Sequence, residues 1–277
     1  MKPSRVIMVG TLLLLATVFL CACTDSFVGN REAQDPSKED SEMNYEDLTA
    51  EDLALLETVN MPAEPGKAIN WRQAYILTSC QTMSSYLHKK YPELSFVICG
   101  FNRAETNAPC DRMYVTLENG SDQDQFTVFL DADGLCRDDY ATVYARPAFD
   151  AMILQPLEEK YGAENVKSHS ALYQKEDCEP DISLSGEELL QTGMLVGDSV
   201  LVINANGTGA DEWLSSYIRT FAEVGIPMQL SIEYATPSGF ASVTDDTIGS
   251  FWNSPQMTAR YLCNSTSDGK FSVRIID

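Results

Sequence analysis

His88 and His169 are the two histidines of a 277-residue chain that also holds eight cysteines and 41 acidic residues. Nucleophilic catalysis needs a thiol or hydroxyl with a base in hydrogen-bond reach, so any such site must recruit one of these two imidazoles. Cys80 and His88 lie on one predicted helix, separated by about 12 Å of rise, and cannot pair. His88 sits in a Lys-rich turn and reads as exposed. Asp131, Asp133, Asp138 and Asp139 crowd around Gly134, and calcium favours several carboxylates beside a sharp turn. The spacing is not that of an EF-hand, because Thr142 stands at position 12 counted from Asp131. A hairpin end followed by acids at a helix start accounts for the same residues. Phe240, Phe251 and Trp252 occur among Ser, Gly, Asp and Asn between Thr236 and Gln256, a mixture suited to a recognition loop and equally to packing beneath one.

Two glycine-bearing segments have other readings. Gly197-Asp198-Ser199 is similar to the serine block of GDSL-type hydrolases, but no histidine follows Ser199 to act as base. It reads as a turn feeding a strand at Val200. Gly207-Thr208-Gly209 precedes a helix, where backbone N–H groups can cradle phosphate. Asp211 and Glu212 put negative charge where the phosphate would lie, so it reads as a loop.

The first residues carry an address. Lys2 and Arg5 precede the apolar run Val6 to Leu20, which ends in Leu20-Cys21-Ala22-Cys23. This resembles the signal peptide and lipobox of bacterial lipoproteins, with Cys21 a mild departure at the second position. The resemblance implies cleavage before Cys23, lipidation of Cys23 and a place on the extracytoplasmic face of a membrane. Acyl carbons contribute about 0.8 kcal/mol per buried methylene to such anchoring. A spanning helix needs about 20 apolar residues, and Thr24 and Asp25 cut this run short.

Loss of residues 1 to 22 removes Lys2 and Arg5 and no acid, which takes the net charge from −22 to −24. So acidic a body is repelled by nucleic-acid phosphates and anionic lipid. The expected partners are a membrane, through Cys23, and an unidentified protein, small molecule or carbohydrate. Residues 23–66 contain twelve acids against Arg31 and Lys38 and read as an acidic disordered tether. Tyr45 to Val59 within it could form a short helix before Pro62 and Pro65. Cys80, Cys99, Cys110, Cys136, Cys178 and Cys263 follow, an even number compatible with disulfides in an exported chain. Cys99 with Cys110 is the first expected pair.

The elements that must position these residues fall into two groups. Residues 67–162 read as a helix from Trp71 to Tyr91, strands at Leu94 to Gly100, Met113 to Leu117 and Phe126 to Leu130, and a helix from Tyr140 to Tyr161 with breaks or kinks at Pro147 and Pro156. Residues 163–277 read as a strand Val166 to Tyr173, a capped helix Ser185 to Leu190, a buried strand Val200 to Asn204, a helix Asp211 to Val224 ended by Gly225, a strand Met228 to Tyr234, and a terminal hairpin. The expected fold is α+β, with two small modules of a helix packed on an antiparallel three-stranded sheet. Ser84 to Leu87 echoes Ser215 to Ile218 at a shift of 131, and Leu117, Asn119, Phe126, Val128 and Leu130 meet Leu262, Asn264, Phe271, Val273 and Ile275 at a shift of 145. These echoes are compatible with a diverged tandem repeat or with two generic amphipathic patterns.

The module order resembles cystatin-like or protease-associated exported domains of bacteria, which implies binding rather than catalysis. Through Tyr86-Leu87-His88-Lys89-Lys90-Tyr91 and Asp138-Asp139-Tyr140 the body also resembles uncharacterised surface lipoproteins of Firmicutes, from which no activity carries over. The sequence is therefore expected to encode a non-enzymatic, lipid-anchored binding module of the cell envelope. An envelope hydrolase whose Cys and His meet only in the fold is one alternative, and a calcium-stabilised structural domain is another.

Overall fold

The computed structural model describes residues 43–121, 124–176, 178–207 and 210–276, all within the unit Asp40–Asp277. The expected signal peptide and lipobox, Cys23 and the first part of the acidic segment lie outside the described residues. From Met43 the acidic segment is part of the body, not a disordered tether. Thr49 and Asp52 form a capping box on α1 (Ala50–Thr58), and Leu56 on that helix is wholly buried.

Asn70 caps α2 (Trp71–Lys90), its Oδ1 accepting from the N–H groups of Arg72 and Gln73. His88, Lys89 and Lys90 occupy the last turn, where positive charge complements the helix dipole. The stripe Ile76, Leu77, Cys80, Met83 and Leu87 is buried against β1 (Phe96–Asn102), β2 (Asp111–Leu117) and β3 (Phe126–Leu130). A fourth strand, β4 (Cys136–Asp138), completes an antiparallel meander in the order β1-β2-β3-β4. Its three residues, two of them charged, are too few to show an alternating pattern. The expected three-stranded sheet therefore gains a strand.

Tyr140 begins α3 (Tyr140–Tyr161), which runs 22 residues with Pro147 and Pro156 inside it. Tyr140 and Val143 sit in the first core, whereas Phe149, Ile153 and Leu157 sit in the second. The helix that the sequence reading gives to the first module thus packs most of its length on the second.

That second sheet has five strands, β5 (Val166–Gln174), β6 (Leu195–Ile203), β7 (Met228–Ala235), β8 (Met257–Ser265) and β9 (Phe271–Ile276), in chain order across the sheet. α4 (Gly186–Gln191) lies between β5 and β6 behind the Ser185–Glu188 capping box. α5 (Asp211–Glu223) makes the crossover that leaves β6 and β7 parallel. A parallel pair requires such a crossover, so the second sheet is mixed and does not repeat the first. The register excludes the proposed repeat as well. Phe126 faces Val115 on β2, whereas Phe271 faces Ser265 on β8, five positions from where the shift of 145 would place its partner. The architecture is α+β, with sheets of four and five strands.

One face of the second sheet is closed by α3 and α5. Leu201, Ile203, Leu230, Ile232, Tyr234 and Tyr261 point into that core. Gly197 on β6 is required there, because a Cβ would lie 2.2 Å from Cζ of Phe149. Between β7 and β8 the chain makes an excursion through α6 (Pro237–Ser242) and the 3-10 segment Ile248–Asn253, which crosses the opposite face over β5, β6 and β8. Among the described residues no helix is long and apolar enough to cross a membrane.

Candidate functional site

The strand register sets side chains in rows on the face opposite α3 and α5. Lys167, Val202, Glu233, Arg260 and Ile276 form one row; His169, Val200, Ser231, Leu262 and Arg274 form the next; Ala171, Asp198, Gln229, Asn264 and Ser272 form a third. The excursion roofs the first row. Val202, Ala235, Phe240, Val243, Ile248 and Phe251 make a small core there, and Lys167 Nζ donates to the carbonyls of Phe240 and Val243 at 3.0 and 2.6 Å. Beyond the roof, His169, Gln229, Ser272 and Arg274 are exposed.

Glu233 lies at the roof's edge with no exposed surface. Its Oε1 accepts from Ser231 Oγ at 3.0 Å and faces Arg260 Nε at 3.4 Å, and that Nε donates to Ser231 Oγ at 3.0 Å. Its Oε2 is buried without a hydrogen-bond partner among the described residues. Burial raises the Glu233 pKa, and Ser231 and Arg260 offset only part of that. An unmet buried oxygen costs about 1 to 3 kcal/mol, which marks Glu233 as a residue not selected for packing alone. The Arg260 guanidinium lies 5.5 Å from the centroid of the Trp252 ring, and Trp252 is 46% exposed. The result is a guanidinium held from below by a buried carboxylate and topped by a half-open indole.

A second polar cluster lies along the edge strand β5. His169, Ser170, Ala171 and Leu172 line a cavity of about 210 Å³ with Gln125, Thr142, Val143 and Arg146. Arg146 pairs with Asp124 at 3.1 Å, and Ser199 Oγ donates to Ser170 Oγ at 2.8 Å. Burial raises the pKa of Asp150 and of Asp198, and the field of His169 opposes both shifts. Ser199 is thus an interior residue of β6, which starts at Leu195 and not at Val200, and its hydroxyl is turned into the fold.

Of the expected recognition residues, the structure separates Trp252 from the other two. Phe240 and Phe251 are buried under the excursion, because their rings are what holds the roof to the sheet. The four aspartates do not converge either. Asp131 Oδ1 accepts from the N–H groups of Asp133 and Leu135 in the β3–β4 turn. At the far end of β4, Asp138 is bound by Tyr86, Lys90 and Tyr91, and Asp139 Oδ1 accepts from Thr127 N at 2.6 Å. Among the described residues no three His, Cys, Asp or Glu side chains gather as metal ligands.

Among the described residues the cysteines, Cys80, Cys99, Cys110, Cys136, Cys178 and Cys263, carry free thiols. Cys99 is the bulged residue opposite Tyr114 and Val115, and Cys110 lies four residues before Tyr114, about 13 Å along the strand. A disulfide needs Cα atoms within about 7 Å, so the expected bridge does not form. Burial pushes the Cys80 and Cys263 thiols up to about 12. His88 Nδ1 lies 2.8 Å from the Ser84 carbonyl oxygen, on the exposed side of α2. The alternation of Gln229, Ser231 and Glu233 was a legible sign of a polar face. Nothing local marked Glu233 as the member that would be covered.

No family model matches the sequence, and no curated protein matches it. Among solved structures, that of a DUF5037 family protein from Ruminococcus gnavus ATCC 29149 is similar, with a TM-score of 0.41 and 14% identity over 69% of this chain and 93% of that one. A likeness at that level carries no argument about function.

Proposed function

We propose that the protein is a lipid-anchored, extracytoplasmic binding protein of the cell envelope that acts through the open rows of the second sheet beside Trp252. The observation that carries this reading is the Glu233–Arg260–Trp252 stack. A fully buried carboxylate orients a guanidinium whose indole cover stays nearly half exposed. Preorganised aromatic and arginine groups are the usual anchors of binding surfaces. The lipobox ending at Cys23 supplies the membrane attachment. Two of the thiols and the Ser199 hydroxyl are withdrawn from nucleophilic chemistry, which supports a non-enzymatic role. The Cys80 and Cys263 thiols are buried with pKa values near 12, and Ser199 is bonded to Ser170. A thiol so far above neutrality supplies almost no thiolate.

The test is equilibrium binding of washed membrane and wall fractions to the full chain and to Trp252→Ala, with circular dichroism as the folding control. Saturable retention that the variant loses supports the reading. Equal retention by the variant moves the surface elsewhere, and no retention by either protein removes the binding role. Metabolic labelling with a radioactive fatty acid tests the anchor. Label is expected on the natural chain and not on Cys23→Ala.

A further inference from the structure

The proposed binding surface also has a chemistry that selects its ligand, and we infer that the ligand is a neutral oligosaccharide lying across β6 to β9 with one sugar ring against Trp252. This deepens the preceding reading and rests on it. Asp198, Gln229, Asn264 and Ser272 stand side by side on four neighbouring strands, with Arg274 one row away. Neighbouring strands are about 4.8 Å apart and same-face residues about 7 Å apart along a strand. The polar groups therefore form a grid about 14 Å wide, each point carrying a donor or an acceptor.

A carboxylate accepts from hydroxyls, a guanidinium donates to them and an amide does both, so the set meets hydroxyls in both senses. A polyol presents hydroxyls at such short intervals and carries both functions on each. Leu262, part-buried in the middle row beside Ser231, gives a small apolar patch that the C–H edge of a sugar ring can cover. The half-exposed indole lies against Arg260, whose Nε reaches Ser231 of the middle row, and provides the stacking plane.

The same features disfavour other occupants. A net charge of −22 repels polyanions from the body as a whole. Protein partners seek an apolar, aromatic centre depleted in Asp and Ser, whereas this centre is polar, with Ser231 between Val200 and Leu262. Glu233 acts as a positioning residue. It fixes Arg260 beneath Trp252, so that the indole is held before the ligand arrives and the cost of ordering it is already met.

The experiment is titration of the full chain in detergent micelles with soluble cello-, malto-, xylo- and chito-oligosaccharides, read by calorimetry, with polygalacturonate and single-stranded DNA as anionic arms. Saturable binding of a neutral oligosaccharide is expected, with a loss of about tenfold or more in Trp252→Ala and a smaller loss in Asn264→Ala and Arg274→Ala. Tyr173→Ala, exposed on the same sheet but outside the grid, is expected to bind as the natural chain does. Binding of an anionic arm alone, or neutral binding untouched by Trp252→Ala, overturns the inference. Failure of all the sugars while envelope fractions are still retained through Trp252 overturns the ligand class and leaves the binding surface standing. Failure of both removes the surface too.

Discussion

Lys90 Nζ lies 2.9 Å from Asp138 Oδ2, joining the last turn of α2 to the end of β4 across 48 residues of chain. Tyr86 and Tyr91 donate to the same carboxylate at 2.7 and 2.9 Å, and the N–H of Tyr140 completes its shell at 3.0 Å. Burial opposes the charge on Lys90, but bonds to Tyr86 and Asp138 outweigh it and hold the ammonium above its ordinary pKa. The two short motifs that stand out in the first half of the sequence, Tyr86 to Tyr91 and Asp138 to Tyr140, are therefore one contact. It is a clamp that fixes α2 on the first sheet and sets the start of α3.

Removing that carboxylate should be costly. Asp138→Ala leaves the hydroxyls of Tyr86 and Tyr91 without their acceptor and strips Lys90 of its buried partner, leaving it Tyr86 Oη and the exposed Glu179, and the side chain it deletes is 1% exposed. A loss of about 3 kcal/mol is expected in urea denaturation, and Lys90→Met should cost less, because Asp138 keeps Tyr86, Tyr91 and the N–H of Tyr140 as donors.

Asp139 has the opposite problem. Burial, aided by the neighbouring Asp138 charge, raises its pKa from 3.8 to about 6. The folded state then binds more protons than the unfolded state between those values, so this group's contribution is full below about pH 4 and is lost as the pH rises through 6. Asp139→Asn keeps the acceptor for Thr127 N and cannot ionise. The stability difference between variant and natural chain should grow in the variant's favour by about 2 to 3 kcal/mol from pH 4 to pH 7, measured by denaturant titration at each pH.

The two aromatic neighbours Phe251 and Trp252 should behave differently. Phe251 is 6% exposed in the core under the excursion, and its truncation to Ala should cost about 3 kcal/mol. Trp252→Ala removes a half-exposed ring whose intramolecular contact is with Arg260, and should cost no more than about 1 kcal/mol. Thermal melts of the two single variants separate a packing role from a surface one.

Gly197 offers a test of the second core. A methyl there meets the Phe149 ring, so Gly197→Ala should lose at least about 2 kcal/mol. In a Phe149→Leu background the ring is gone, and the same alanine should cost less than about 1 kcal/mol. A double-mutant cycle by chemical denaturation reads the coupling.

Much of the element order was open to sequence reading because it depends on local rules. Apolar period placed α2 and α5, capping chemistry placed α4 at Ser185 and Glu188, and Gly225, with a φ of 75°, ended α5. β4 escaped because three residues carry no period, and the start of β6 was misplaced because Gly197 and Asp198 look like turn residues until Phe149 is seen to need the glycine's vacancy.

The sequence by itself determined the acidity, the α+β class and most of the helices and strands, since charge and amphipathic period are written in neighbouring residues. Only the tertiary structure decided that β6 and β7 run parallel, that Phe240 and Phe251 turn inward while Trp252 stays out, and that Glu233 is sealed beneath Arg260. Those outcomes depend on which strand lies beside which and on what covers each face, and burial of a side chain is a property of its neighbours in space.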